Sequence, residues 1–250
     1  MSILHLRNGR VICPAQRHDA VADLYLEDGQ LNDAVAEYRA SLRLNPDSAP
    51  THYNLGFALS ALGKRDEAVA QFEDAVRLDP DYAQAHNNLG ALLQLQGKAG
   101  EALAHYQRAV ALRPDNADAQ ANLGQSLSVH GRMNEAVDHL RAALTLKPDH
   151  AQALAALAWI RATAADPILR NAEEAISLAE RADAATGHRS VSVLDALAAA
   201  YASAGRFADA VAVMRTAIEI AVAEGQLPIA AQFRERLELY QSGQPLRMPR

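Results

Sequence analysis

The side chains that could carry chemistry are nine histidines, one cysteine and a set of regularly spaced amides. His18, His52 and His86 recur every 34 residues, a regularity that invites a metal site. Zinc holds nitrogen ligands at about 2 Å. Equivalent side chains of stacked helical repeats lie at least the roughly 8–10 Å between helix axes apart, so histidines one repeat apart cannot converge on one ion. They are expected to pack or to sit partly exposed. Cys13 stands alone, which excludes an intrachain disulfide and a thiolate cluster. HExxH, GxSxG, CxxC and Gly-rich phosphate motifs are missing, and His105 and His139 have no nucleophile spaced for a triad. The expectation is a chain that is not an enzyme and needs no metal or cofactor.

Asn54, Asn88 and Asn122 share the same 34-residue spacing. An amide offers a donor and an acceptor together, which suits an extended peptide backbone whatever its side chains. The same amides could equally bond to a neighbouring repeat, and the sequence leaves both readings open.

The 250 residues carry a formal net charge of −6 and a sequence pI near 5.8. Nucleic-acid affinity rests largely on neutralising phosphates, so an acidic balance speaks against DNA or RNA as partner. Anionic membrane surfaces are disfavoured for the same reason. Half the residues are hydrophobic, but alanine supplies much of that share, which points to closely packed helices rather than a sheet. No run of 18 apolar residues is present, and Met1 to Pro14 lacks the apolar core of a signal peptide. The chain is expected to be soluble and cytoplasmic, with no membrane insertion.

The elements that must position the amides follow from a repeat. Pro46-Asp47, Pro80-Asp81, Pro114-Asp115 and Pro148-Asp149 recur in phase, as do Leu55-Gly56, Leu89-Gly90 and Leu123-Gly124. Gly63, Gly97 and Gly131 follow, then Ala68, Ala102 and Ala136, then Phe72, Tyr106 and Leu140. The first glycine and the alanine let two antiparallel helices approach closely. The second glycine suits a left-handed helix end. Proline stops the second helix, and the Asp after it is expected to cap the next one.

This pattern resembles the tetratricopeptide repeat over most of the chain. The resemblance implies an all-α, right-handed superhelical solenoid of about six helix-turn-helix repeats with a C-terminal capping helix. The expected division is an irregular lead at 1–14, four repeats at 15–150, two divergent repeats at 151–223, the first with an insertion around Asp166-Pro167, and a capping helix and tail at 224–250. Ile229, Phe233, Leu237 and Tyr240 form the apolar stripe of that last helix. The segment from Trp159 through the tail also looks like the C-terminal part of many bacterial repeat proteins.

In this family the first helix of each repeat lines a concave groove. At 100° per residue, Pro50, Asn54, Phe57 and Ala61 share the face opposite Leu55, Gly56 and Leu59. Register carries that face to Asp23 in the first repeat, to Gln84, Asn88, Ala91 and Leu95, and to Asp118, Asn122, Gln125 and Val129. It continues to Gln152, Ala156, Trp159 and Thr163, and to Ser192, Ala196, Ala199 and Ser203. The asparagines resemble the ladder in the repeat domain of O-linked N-acetylglucosamine transferases. None of these positions is Lys or Arg, unlike family members that clamp a C-terminal carboxylate. Phe57 and Trp159 could seat an apolar side chain.

The function expected is a noncatalytic scaffold that holds an extended peptide segment of a protein partner. The alternative is a substrate-recruiting accessory module of a protein glycosyltransferase. Because the packing columns alone supply the interfaces, folding should need neither metal nor disulfide. Chelator and reductant are expected to leave the helical circular dichroism signal and the Tm unchanged; a substantial drop in either would show a missed site.

Overall fold

The structure is a computed structural model that describes residues 13–27 and 29–248. Residues 1–12 of the expected N-terminal lead lie outside the described residues; Pro14 already opens the first helix. Among the described residues are thirteen α-helices, one short 3-10 turn and no strand. The chain divides into two compact units, Met1–Arg113 and Pro114–Arg250. The first holds α1 (Pro14–Glu27), α2 (Leu31–Leu44), α3 (Ala49–Ala61), α4 (Arg65–Leu78), α5 (Ala83–Leu95) and α6 (Ala99–Leu112). The second holds α7 (Ala117–Val129), α8 (Met133–Leu146), α9 (Ala151–Thr163), the 3-10 turn Pro167–Leu169, α10 (Ala172–Ala185), α11 (Val191–Ser203), α12 (Phe207–Ala223) and α13 (Leu227–Gln241).

In the first unit, α1 packs on α2, α3 on α4 and α5 on α6, and each hairpin stacks on the next through α2 with α3 and α4 with α5. The contact that sets the α3–α4, α5–α6 and α7–α8 hairpins is a ring or a leucine pressed against a backbone. A Cβ added at Gly56 would stand 2.9 Å from the Phe72 ring, one at Gly90 2.9 Å from the Tyr106 ring, and one at Gly124 2.7 Å from Leu140 Cγ. No carbon fits at such distances. Burial against this column pushes the Tyr106 hydroxyl up to about 12.

The turn inside a repeat is a glycine turn. Gly63 has φ +75°, its N–H bonds to the Ser60 carbonyl, and Lys64 N–H reaches back to Leu59, so the last carbonyls of α3 are satisfied locally. The turn between repeats differs from the expectation. The caps are Ser48, Asn116 and His150, whose side chains accept from the N–H groups of Thr51, Ala119 and Ala153. The Asp after each proline stands in the turn, one residue before these caps. Before α5 the cap position is Tyr82, with no side-chain bond, and Asp79 accepts from the N–H of Asp81.

A second periodic contact joins the two helices of a repeat on a different face. His18 bonds to Glu37, His52 Nδ1 lies 2.9 Å from Gln71, His86 Nδ1 lies 2.9 Å from His105 Nδ1, and His139 donates to Gln120 at 2.7 Å. The other end of the first partner holds the preceding turn: His52, His86 and Gln120 donate to the carbonyls of Pro46, Pro80 and Pro114. Histidine and glutamine therefore do one job here, a two-ended polar brace. With His86 Nε2–H committed to Pro80, its Nδ1 accepts from His105. The ring centroids, 5.2 Å apart, fit two rings joined head-on by one hydrogen bond, a geometry that leaves no off-axis point for a shared metal.

The second unit begins in the same way, with α7 on α8, and then departs. The helix α9 ends at Thr163 and Ala164 without a left-handed glycine, and the chain enters the 3-10 turn, where Asp166 caps the N–H of Ile168 at 2.9 Å. Here α9 packs directly against α11, and alanines on both are buried, including Ala158, Ala162, Ala196 and Ala199. The helix α13 covers α12 and buries Phe233 and Tyr240 as the stripe predicts. Ala230 is buried beside them, whereas Ile229 stays 37% exposed.

Two outcomes follow from these contacts. Gly90→Leu forces an overpacked contact with Tyr106 and should cost at least about 1–3 kcal/mol. His86→Ala should cost less. Gly100→Ala, with open space around its Cβ position inside α6, should stabilise by up to about 1 kcal/mol. Denaturant midpoints check the order, and a reversal would break the assigned register.

The His86 and His105 pKa values lie below the ordinary imidazole value of 6.5, chiefly through burial. Arg108 adds to the lowering at His86, where Asp81 and Asp79 oppose it; His86 adds to it at His105, where Glu101 opposes it. The unfolded chain then binds more protons, so stability falls as pH drops from about 6.5 toward the lower folded values. Wild type should lose stability between pH ~7.5 and ~5. His105→Gln, which rebuilds the His52–Gln71 brace one repeat later, should lose less; an equal loss in both would show that the pair does not titrate in this range.

Candidate functional site

In the first unit the expected face of the first helices lies at the surface. Phe57 is 47% exposed and Leu95 67%, with Gln84 exposed between them in sequence. The asparagines are not idle there. Asn54 donates to Asp23 Oδ1 at 3.3 Å, across the step from α3 to α1, and Tyr38 donates to the same oxygen at 2.6 Å. Burial above all, and then the Asp23 carboxylate, raises the Tyr38 hydroxyl well above the ordinary tyrosine range. Asn88 donates to the Tyr53 hydroxyl at 3.3 Å, across the step from α5 to α3. The Tyr53 ring in turn packs tilted on Tyr82 at 4.9 Å and Phe72 at 5.7 Å. Asp19 accepts from Thr51 at 3.1 Å on the same α1–α3 step. Each amide thus ties one repeat to the one before it, Asn54 meeting both the Asp23 carboxylate and the Tyr38 hydroxyl.

In the second unit the amides meet each other. Gln152 donates to Asn122 at 3.1 Å and to Gln125 at 2.7 Å, which joins α9 to α7. His150, buried at the start of α9, bonds to Asp118 at 2.9 Å.

Further along, the same face is covered by the chain itself. Thr163, Ala196 and Ala199 are buried and offer no surface, because α9 and α11 close on one another. Trp159 lies under Arg236 of α13, whose guanidinium is 4.9 Å from the indole centroid and pairs with Asp195 of α11. Burial raises the Asp195 carboxyl, and Arg236 opposes that rise. One Asp195 oxygen and the Tyr240 hydroxyl are buried with no protein partner. This cluster escapes sequence reasoning, since Asp195 and Arg236 are 41 residues apart and fall outside the 34-residue period.

Beyond α13 the chain runs back over this face. Leu246 packs against the cluster of Leu194, Ala198, Phe233 and Tyr240. Arg247 donates to the Ala162 carbonyl at 3.0 Å and the Met248 N–H to Thr163 at 2.8 Å. Arg170 takes Ala164 and Ala165 at 2.8 and 2.9 Å, and the Asn171 N–H takes Arg161 at 2.9 Å. Five successive carbonyls at the end of α9 are therefore satisfied from elsewhere in the chain, in place of a glycine turn.

Among the described residues no group of three or more His, Cys, Asp or Glu side chains is placed to hold a metal, and no helix is long and apolar enough to cross a membrane. A cleft of about 380 Å³ in the first unit is lined by Arg39, Leu42, Arg43, Leu55 and Gln71, none of them among the expected site residues.

Comparison with known proteins agrees with this architecture. A model described as TPR repeat matches residues 22–63, and models described as tetratricopeptide repeat match 48–115, 81–149 and 191–223. Together they span more than half of the chain. No curated protein matches it. Among solved structures the chain is similar to YrrB, described as a TPR protein with an unusual peptide-binding site, at 25% identity over 72% of this chain and 90% of that one, with a TM-score of 0.59. It is similar to PilW, described as a widely conserved type IV pilus biogenesis factor, at 19% identity over 80% and 90%, TM-score 0.66. It also matches the APC/C hetero-tetramer Cut9–Hcn1 at 20% identity over 89% of this chain and 42% of that one, TM-score 0.71. With helix pairs, glycine contacts and repeat models all in the same phase, the chain belongs to the tetratricopeptide-repeat family.

Proposed function

We propose that the protein is a noncatalytic interaction scaffold that holds an extended peptide segment of a protein partner on the first-helix face of its first unit. The observation that carries this reading is the exposure of Phe57 and Leu95 on the helices that present the Asn54 and Asn88 amides, apolar seats beside groups that can bond to a backbone. YrrB, described as having a peptide-binding site, supports the same use of the fold. Asp23 and Gln84 flank the amides, and the Asp19 and Asp23 carboxylates at the α1 end favour a neutral-to-basic ligand. In the second unit Asn122 and Gln125 belong to the same class of position, and Trp159 is reserved to the chain's own α13. Delivery of protein substrates to a glycosyltransferase would use the same amides, and a pull-down with labelled UDP-sugar turnover as readout separates it from a plain scaffold.

The test is calorimetric titration with two unrelated peptides recovered from a display library. Each asparagine contributes a net hydrogen bond of roughly 0.5–1.5 kcal/mol, so Asn54→Ala with Asn88→Ala should weaken binding about tenfold to a hundredfold. Contacts to a peptide backbone predict a similar loss for both peptides, and amidating the peptide C-terminus should change nothing. Unchanged affinity in a folded double variant would mean that the asparagines serve only as ties between repeats.

A further inference from the structure

We propose that the C-terminal end of α9, together with the edge of the apolar cluster built by α11, α12 and α13, is a second peptide-binding site, filled here by the chain's own residues 244–248, whose ligand class is an extended segment with an aliphatic residue followed by a basic one. The occupant shows the chemistry. Leu246, partly buried, packs against the apolar cluster that includes Leu194, Ala198, Phe233 and Tyr240. The next side chain, Arg247, bonds to the Ala162 carbonyl, and the next backbone N–H, that of Met248, bonds to Thr163. An aliphatic seat, a cation seat and a backbone acceptor thus follow one another along three residues.

The cation seat is a helix end. The last carbonyls of α9 are the negative pole of its dipole and accept from a guanidinium, while burial and then the neighbouring Arg170 oppose the charge and hold Arg247 below the ordinary arginine value, so the seat selects a side-chain donor more than a charge. Among the described residues neither Arg247 nor Arg170 forms an ion pair with a carboxylate. Arg170 is already bound to Ala164 and Ala165, which leaves Ala162 and Thr163 as the two acceptors a ligand can use. A segment lacking the basic residue leaves the Ala162 carbonyl without its side-chain donor, and a segment lacking the aliphatic residue leaves the cluster partly uncovered.

The occupant is held lightly. The helix α13 is fixed by its packing on α12 and by Arg236 on Asp195, whereas beyond Gln244, which bonds to Leu239, the described residues show Leu246 packed on the cluster, two hydrogen bonds to α9, and Pro245 and Met248 partly buried. What keeps it in place is its tether, since a short intramolecular link acts as an effective concentration in the mM range. A partner segment at lower concentration is excluded from the whole chain and admitted once the tether is cut or the anchors are removed. This site is separate from the amide face of the first unit and does not depend on it.

The experiment uses a blocked peptide with the sequence of residues 243–248 and an isotope-labelled protein followed by amide chemical shifts. A chain ending at Ser242 should show saturable shifts confined to Ala162–Arg170 and the cluster of α11, α12 and α13. The full chain should need at least ten times more peptide, and a peptide with serine at the Leu246 and Arg247 positions should cause no shifts. The full-length Leu246→Ser, Arg247→Ser variant, which keeps the backbone but not the anchors, should behave like the shortened chain. Absence of shifts in a variant that remains helical overturns the proposal, as does equal binding by the full chain. Loss of the α9 fold in both variants overturns it too, because the segment would then be a fixed part of the helix end rather than an exchangeable ligand.

Discussion

The amide-bearing repeats depend on how closely their two helices approach at one glycine. At Gly56, Gly90 and Gly124 the partner side chain occupies the space a Cβ would take, so the helix pair has one depth and one rotation. Fixing that rotation decides which residues of the first helix face inward and which face out. Leu55 and Leu59 go to the core, and Asn54 and Phe57 come to the surface. The polar brace from His52 or His86 to the second helix and the preceding proline carbonyl then ties the hairpin to the turn that enters it. Within the first unit, equivalent residues such as Asn54 and Asn88 are thereby presented by successive first helices at the repeat interval.

The second unit shows what happens when the spacing is relaxed. Without a glycine after α9 the chain cannot turn back within two residues, so the turn lengthens and the helix end is left with unpaired carbonyls. Buried carbonyls must find donors. They find Asn171, Arg170, Arg247 and Met248. The cost of the missing turn is thus met mostly by Arg170 and Asn171, a few residues on, and at Ala162 and Thr163 by a segment more than eighty residues away in sequence.

How much of this was legible in the sequence differs by interaction. The glycine column, the turn glycines and the proline stops are local and periodic, so Gly90 and Gly97 announce a helix pair directly. The cap was misplaced from Ser48 to Asp47 because both residue types cap well and only the path of the turn decides between them. The brace was half visible: His52 and His86 stood out, but their partners Gln71 and His105 lie 19 residues on, a separation that means nothing until the hairpin is built. Asp195 with Arg236 was invisible, because neither residue has a periodic counterpart. The asparagines were seen, but not the residues they tie to.

Those ties sharpen what the amide face can be. Asn54 and Asn88 each spend one donor on the repeat before them, so their side chains are held in one orientation before any ligand arrives. An amide fixed in this way loses little rotamer freedom on binding, and ordering costs of that kind are a main reason surface contacts contribute little to affinity. Tying repeats and binding a peptide are therefore not competing uses of the residue. The first prepares the second, provided that the remaining N–H points away from the stack, and the exposure of Phe57 on the same helix indicates a direction in which a ligand can approach it.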